Sequence, residues 1–316
     1  MEQRKQTILV TGGAGFIGSN LVDHLLAKGN YRVIALDNFD PYYPRAIKEQ
    51  NIAQARKSPD FELIEADITN KDDLKKVGHS IDAIVHLAAK AGVRPSLENP
   101  TAYFTTNVNG TVNLLEFARA RAIRQFVFAS SSSVYGEHPA KPWGEDIGEL
   151  NPISPYAVSK LAAEKLGYVY ARHHDIRFIA LRLFSVYGKR QRPDLALSKF
   201  TRLIREGKKV EIYGDGLSAR DYMYIEDVVA YLELAVRYTR TNYEVLNVGS
   251  GEPCSIMSLV RCVSSKLGLK ADITLLEAQK GDVSTTWASK AKTDIQLGKI
   301  NRKSLDEGIE ETLYNP

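Results

Sequence analysis

A chain of 316 residues is long for one hydrophobic core and fits one large domain or two unequal ones. Its 42 basic and 38 acidic side chains leave a net charge of +4, too mild to argue for a nucleic-acid surface, and its 44% hydrophobic content is that of an ordinary soluble globular protein. No apolar run of about 18 residues suggests a membrane span, and no signal-peptide core follows the opening MEQRKQ. Cys254 and Cys262 share one helix-like segment without metal-ligand or disulfide-framework spacing, which predicts a cytoplasmic protein with reduced, buried thiols.

In chain order, apolar runs of strand length alternate with segments of helical period. TILV at 7–10, YRVIAL at 31–36, FELIEA at 61–66, DAIVHLA at 82–88, QFVFAS at 125–130 and RFIALR at 177–182 read as buried parallel strands. Between them, Ile17, Leu21, Val22, Leu25 and Leu26 share one helical face, and helical patterns cover 102–121 and 155–174. This alternation implies an α/β fold with a doubly wound, Rossmann-like parallel sheet. After residue 183 the rhythm changes. A helix-like 194–207, the turn-rich YGDGLSARD, a helix near 225–238, the strand-like YEVLNVG and a helix near 255–267 follow without clean βαβ repeats. The expected division is a nucleotide-binding domain of 1–183 plus about 226–250, and a smaller C-terminal α/β substrate domain of about 184–225 plus 251–316.

The first strand runs into TGGAGFIG at 11–18, which spaces Gly12, Gly15 and Gly18 as G-x-x-G-x-x-G in front of a helix. Glycine is needed where the chain turns sharply, where backbone approaches a pyrophosphate, and where the free N–H groups of a helix start face an anion. The flanking strand and amphipathic helix give the context that a bare glycine pattern lacks. The second strand ends in Leu36-Asp37-Asn38, where a carboxylate accepts bonds from both ribose hydroxyls and repels a 2′-phosphate. The cofactor expected is therefore NAD rather than NADP. Asp67, after the third strand, reads either as a contact to the adenine amino group or as a turn residue.

Tyr156-Ala-Val-Ser-Lys160 places a phenol and an ammonium four residues apart, on one face of a helix. The pattern also arises by chance on exposed helices, so its weight comes from following the fifth strand of a dinucleotide fold. A lysine cation and a positively charged nicotinamide both favour the phenolate, which then removes a hydroxyl proton while hydride leaves the same carbon. That fifth strand ends in four serines, Ser130 to Ser133, at the end of the sheet where ligands bind in such folds. Strand alternation puts Ser131 and Ser133 on one side, Ser130 and Ser132 on the other.

Over essentially its whole length the chain resembles the extended short-chain dehydrogenase/reductase superfamily and, within it, the nucleotide-sugar 4-epimerases. TGGAGFIG, LDNFD, HLAA, ASSSSVYG, SPYAVSK, RDYMYIEDV and NVGSG carry the resemblance, in that order. It implies a tightly held NAD that oxidises a sugar C4 hydroxyl and returns the hydride to the opposite face of the 4-keto sugar. It also implies that Tyr156 is the acid/base, and that Lys160 lowers its pKa and binds the nicotinamide ribose. Ser131, 25 residues before Tyr156, is the first candidate for the hydroxyl bonded to the reacting oxygen, and Ser133 is the second. Cofactor contacts implied by the resemblance are Gly12, Gly15, Phe16, Ile17, Gly18, Asp37, Asn38, Asp67, Ile68, Leu87, Ala88, Ala89 and Lys160. The helices near 102–121 and 155–174 are implied to form a four-helix homodimer interface.

Related 4,6-dehydratases carry an Asp-Glu pair where Ser132 and Ser133 stand, and UDP-glucuronate decarboxylases a Glu at the position of Ser133. Serine supplies no such acid/base at neutral pH, which favours epimerisation. Lys90 to Arg94 with Ser96 to Pro100, Phe184 to Gly188, and Arg192 to Phe200 resemble the UDP-glucuronate 4-epimerases in particular. A uronate oxidised at C4 carries a ketone β to its carboxylate and tends to decarboxylate, which a planar, bidentate arginine grip suppresses. Arg192 is the candidate clamp, with Ser185 and Ser133 adding hydroxyls and Arg94 and Ser132 as further substrate contacts. In the charged KRQRPD stretch, Arg192 also reads as a solvated loop residue.

Arg220 matches the family's diphosphate arginine and Asp282 its nucleotide-binding acid, whereas Gln279, Lys280 and Ser289 depart from the family pattern. The expected substrate is UDP-glucuronate, with neither nucleic acid nor membrane as partner. A UDP-glucose 4-epimerase or dual-specificity enzyme, a decarboxylase and a non-catalytic dinucleotide sensor are the rival readings. An intact Tyr156 and Lys160 argue against the sensor.

Overall fold

The apolar runs of the first half become strands of one sheet because covering helices bury both of its faces. A computed structural model describes residues 4–277 and 283–314. Its strands are β1 (Gln6–Thr11), β2 (Tyr31–Asp37), β3 (Phe61–Glu65), β4 (Ala83–His86), β5 (Gln125–Ser131), β6 (Arg177–Leu183), β7 (Ser185–Tyr187), β8 (Val210–Tyr213), β9 (Ala219–Tyr224), β10 (Tyr243–Val248), β11 (Pro253–Ser255) and β12 (Ile273–Leu276). The main sheet has seven strands in the order β10-β6-β5-β4-β1-β2-β3. β1 pairs in parallel with β2 on one side (Ile8 opposite Val33) and with β4 on the other (Ile8 opposite Ala83). Chain order therefore reverses at β1, and the loops leaving β1 and β4 share the switch point where such sheets bind ligands.

The chain forms two compact units, each built from three separate segments. Unit 1 comprises 1–134, 152–182 and 229–246, and unit 2 comprises 135–151, 183–228 and 247–316. The segment 135–151, expected with the nucleotide-binding half, belongs to unit 2. There Trp143 donates its N–H to the Trp287 carbonyl at 2.7 Å and Tyr135 bonds Asn247 at 2.7 Å. Unit 2 also contains two small sheets, β11-β9-β7 and β12-β8, whose strands escape sequence reading because they are only three to six residues long, too short for a periodic pattern to stand out.

In unit 1, Leu9, Ile34, Ile84, Phe126, Phe128 and Phe178 form the centre of the core, and the Phe126 ring stacks on Phe178 at 5.4 Å. The helix Pro155–His173 starts at Ser154, whose hydroxyl accepts from Ala157 N–H, with Pro155 pre-set for the first turn. It packs tightly because Gly167 has no side chain: a Cβ there would lie 2.3 Å from the Phe178 ring. The pattern at 102–121 becomes a helical run, Pro100–Tyr103 and Gly110–Ala120, with a π-helical stretch at Phe104–Asn109 between. Such stretches concentrate at functional sites.

The two cysteines do not share a helix. Cys254 lies on β11 and Cys262 in the helix Ile256–Leu267, and both thiols are free and only half-buried, because the Pro253–Ser255 segment extends before the helix begins. Among the described residues no helix is long and apolar enough to cross a membrane.

Candidate active site

The nucleotide end of unit 1 is set by two glycines. Gly12 has φ of +70°, and a Cβ there would approach Ala88 N to 2.8 Å, so the loop leaving β1 rests directly on the Leu87–Ala88 backbone, with Ala89 next in the chain. A Cβ on Gly18 would lie 2.0 Å from the Gly12 carbonyl oxygen, which lets the helix Phe16–Ala27 start against the loop. Phe16 and Ile17 open that helix, and beside Gly15 only the Gly12 carbonyl and the Tyr43 hydroxyl come within 4 Å of a would-be Cβ.

Asp37, buried at the end of β2, accepts from Ala14 N–H at 3.0 Å and Phe39 N–H at 2.8 Å, with the buried Lys48 ammonium 3.6 Å away. Asn38 donates to Asp67 at 2.9 Å, and Asp67 also takes the Thr69 N–H and hydroxyl. Burial works against the Asp67 charge, yet these bonds outweigh it and hold the carboxyl below its usual range. Asp67 is thus a turn-closing residue in this geometry, next to the buried Ile68. An open glycine cradle at a helix start and a fixed carboxylate one strand away fit a dinucleotide such as NAD.

Behind the cradle, a buried hydrogen-bond chain fixes a histidine tautomer. Thr111 Oγ1 donates to the Asn107 carbonyl at 2.6 Å, so it accepts from His86 Nε2 at 3.0 Å. The other ring nitrogen, Nδ1, accepts from Thr11 Oγ1 at 2.8 Å, and Thr11 Oγ1 in turn accepts from Ala88 N–H. Burial, with the Lys160 charge adding to it, pushes His86 down to about 3. Its unfolded value lies near 6.5, so the unfolded chain alone takes up this proton as pH falls through that window, and the histidine contributes to acid lability. Its imidazole resonances should stay unchanged between about pH 8 and about pH 5; an imidazole titrating near 6.5 would contradict the buried neutral form.

Ser131 is the last residue of β5, and the chain then tightens into a 3₁₀ turn at Ser132–Tyr135. Ser131 Oγ donates to Ser133 Oγ at 3.0 Å and accepts from Ser133 N–H at 3.1 Å. The two hydroxyls meet through this turn, not through strand alternation, which ends at Ser131. Ser130 points the other way and donates to Glu164, and Ser132 is half-buried. Tyr156, half-buried, stands edge-on to the Tyr103 ring at 6.2 Å. Lys160 Nζ donates to the Ala129 carbonyl at 2.7 Å and lies 4.8 Å over the Phe128 ring. Burial pushes its ammonium down to about 7, against the opposing pull of Glu164. Arg94 is exposed on the helix Val93–Glu98.

In unit 2, Ser185 opens β7 opposite Tyr222 of β9, and Arg220 on β9 lies opposite Cys254. Arg192 lies in the loop between β7 and the helix Ala196–Arg205. Its side chain is 17% exposed, and it forks onto Asp194 with Nε at 3.0 Å and Nη2 at 2.8 Å. Beside Arg220, the buried Asp221 accepts from Ser250 N–H and hydroxyl, Gly251 N–H and Ala288 N–H. Gly214 and Asp215 form a turn, as expected, at one side of a cavity of about 440 Å³ also lined by Lys141, Trp143, Tyr213, Ser218 and Ser284. Asp282, Gln279 and Lys280 lie outside the described residues. Ser289 donates its N–H to the Trp143 carbonyl at 2.8 Å.

Sequence reasoning missed Asn107, Thr111, Glu164, Arg182 and Asp221. Only Glu164, four residues past Lys160, had a readable spacing signal.

The model of the NAD dependent epimerase/dehydratase family matches residues 8–249. A curated relative from Thermodesulfobacterium geofontis, named UDP-glucuronate 4-epimerase, is 38% identical over 96% of this chain and 94% of its own. The Bacillus cereus UDP-glucuronic acid 4-epimerase, solved with UDP-glucuronic acid and NAD, superposes with a TM-score of 0.92 at 37% identity over 98% of each chain. The Thermotoga maritima UDP-glucose 4-epimerase, solved with UDP-glucose, gives 0.89 at 31% identity over 98% of each chain. With its glycine cradle, its Tyr156 and Lys160 helix and a family match over most of its length, the chain belongs to the NAD dependent epimerase/dehydratase family.

Proposed function

We propose that this protein is an NAD-dependent UDP-hexose 4-epimerase, an isomerase whose preferred pair is UDP-glucuronate and UDP-galacturonate. The observation that carries this reading is local to unit 1. Tyr156 and Lys160 share one helix, Lys160 sits on the Ala129 carbonyl, and the end of β5 presents the Ser131 and Ser133 hydroxyls with no carboxylate at 132 or 133.

The glycine cradle and Asp37 would hold NAD, which would supply reversible hydride transfer at sugar C4. Tyr156 as phenolate accepts the C4 hydroxyl proton and gives it back to the ketone oxygen, so the cycle consumes no proton. Lys160 as a cation favours the phenolate, and Ser131 would donate to the reacting oxygen once its one hydroxyl hydrogen turns from Ser133 to the sugar. No second acid is required, whereas dehydration and decarboxylation need one.

Arg192 would grip the uronate carboxylate with Ser185 nearby in sequence, Arg220 the diphosphate, and Asp282 the nucleotide. The relatives named for the uronate reaction support that substrate. A uronate carboxylate would share the guanidinium with Asp194, whereas with a neutral C6 hydroxyl Asp194 keeps the Arg192 charge paired, which supports UDP-glucose as a second substrate. The free thiols fit a reducing cytoplasm. Exposed Phe104, Val158 and Val169, within the helical stretches 102–121 and 155–174, support a homodimer built on these helices.

The test is to incubate the protein with UDP-glucuronate and follow products by NMR. UDP-galacturonate without carbon dioxide is expected, and a UDP-pentose would overturn the reading. Bound NAD in the purified protein, reduced on adding a UDP-sugar, excludes a sensor. Arg192→Ala should raise KM for UDP-glucuronate about 10- to 100-fold, the loss of a charged hydrogen-bonded fork, with a smaller change for UDP-glucose. Equal losses on both sugars would remove Arg192 from uronate recognition.

A further inference from the structure

The helix that carries Tyr156 and Lys160 continues into a buried charge that the proposed reaction does not use. Glu164, 1% exposed, lies one turn beyond Lys160. Its carboxylate receives a fork from Arg182 on β6, with Nε to Oε1 at 3.0 Å and Nη2 to Oε2 at 2.8 Å. Ser130 donates its hydroxyl to the same Oε1, and the Tyr243 hydroxyl on β10 donates to the Glu164 carbonyl at 3.2 Å. Ser130 directly follows Ala129, whose carbonyl holds Lys160 Nζ. The carboxylate thus ties the end of β5 to the helix at the one peptide that seats the lysine.

A buried ion pair is weak evidence for stability, since apolar replacements often fold as well or better. A more specific role follows from where this one sits. We infer that Glu164, oriented by Arg182 and Ser130, is the positioning residue for Lys160: it fixes the Ala129 carbonyl under Nζ and supplies the negative charge that keeps the buried lysine cationic. This rests on the reading of Lys160 as the partner of Tyr156. Among the described residues, the titratable or charged groups that face Lys160 are Glu164 and, four residues earlier, Tyr156 on its own helix and neutral His86 on β4; Arg182 on β6 and Tyr243 on β10 bond Glu164, and β5 brings the Ala129 carbonyl and the Phe128 ring. Glu164 is the one anion among them, while burial alone drives the lysine toward the neutral form.

The Lys160 titration can be read without any turnover, from its side-chain Cε resonance in protein labelled with ¹³C-lysine and assigned by its loss in Lys160→Met. Glu164→Gln should lower the midpoint by about one pH unit or more, a tenfold change in the ionisation ratio, and shift the alkaline limb of kcat to lower pH by the same amount. KM for the UDP-sugar should stay near the wild-type value. Should Glu164→Gln fail to fold, Glu164→Leu with Arg182→Met replaces the pair by apolar groups. The midpoint should still fall, because Glu164, one helical turn from Lys160, is the charge that opposes its loss of a proton, and Arg182 is not among the groups that shift it. An unchanged midpoint in a folded variant overturns the proposal, even if kcat drops. Absence of epimerisation by the wild-type protein would instead overturn the function reading and leave the Lys160 titration as a valid measurement.

Discussion

Tyr156→Phe should lower kcat for 4-epimerisation by about 10²- to 10⁴-fold while NAD and UDP-sugar binding stay within a few-fold of wild type. Phenylalanine keeps the ring that meets Tyr103 edge-on, so the helix and its packing remain, and only the proton-carrying oxygen is removed. Lys160 and Ser131 cannot replace it. The ammonium is held by the Ala129 carbonyl, and a serine hydroxyl is far too weak an acid to be the base at neutral pH. Single-turnover reduction of bound NAD by the sugar, followed at the reduced-cofactor absorbance, separates chemistry from binding. A variant with full activity would remove Tyr156 from the reaction and with it the mechanism.

Gly18→Ala should abolish NAD retention and destabilise the protein by about 3 kcal/mol, near the upper range for forcing atoms into a packed site. The added Cβ would lie 2.0 Å from the Gly12 oxygen and 2.9 Å from Gly13 Cα, and both neighbours are backbone, so no side-chain rotation relieves the clash. Either the helix Phe16–Ala27 moves away from the loop or the loop leaves Ala88, and both open the cradle. Denaturant unfolding and the ratio of nucleotide to protein absorbance after purification check the two halves of this expectation. Gly29, where a Cβ would meet nothing within 4 Å, serves as the control glycine, although its φ of +76° makes a modest strain cost expected there.

The central strands of the main sheet, such as β1, β2 and β4, were readable because each is a nearly continuous apolar run, and buried runs of that length have few other structures open to them. The glycine spacing and Tyr156-to-Lys160 spacing were equally local, since a turn and a helix face fix which atoms come together within a few residues. Unit 2 was harder. Strands such as Ser185–Tyr187 and Pro253–Ser255 exist only because β9 lies between them, and no periodicity within three residues announces that. Segment 135–151 joined the unit of Trp287 through backbone pairing, which no composition records.

Sequence by itself determined the fold class, the dinucleotide, the spacing of Tyr156 and Lys160 on one helix face and the lack of a carboxylate at 132 and 133, because each depends on residue type at short spacing. Tertiary structure alone decided that Ser133 reaches Ser131 by a turn, that Arg192 already holds Asp194, and that Lys160 sits over a carbonyl tied to Glu164 and Arg182. Those facts concern charges and hydroxyls brought together from separate strands and helices. Their energies depend on burial and on the partners present, and burial is a property of the folded chain.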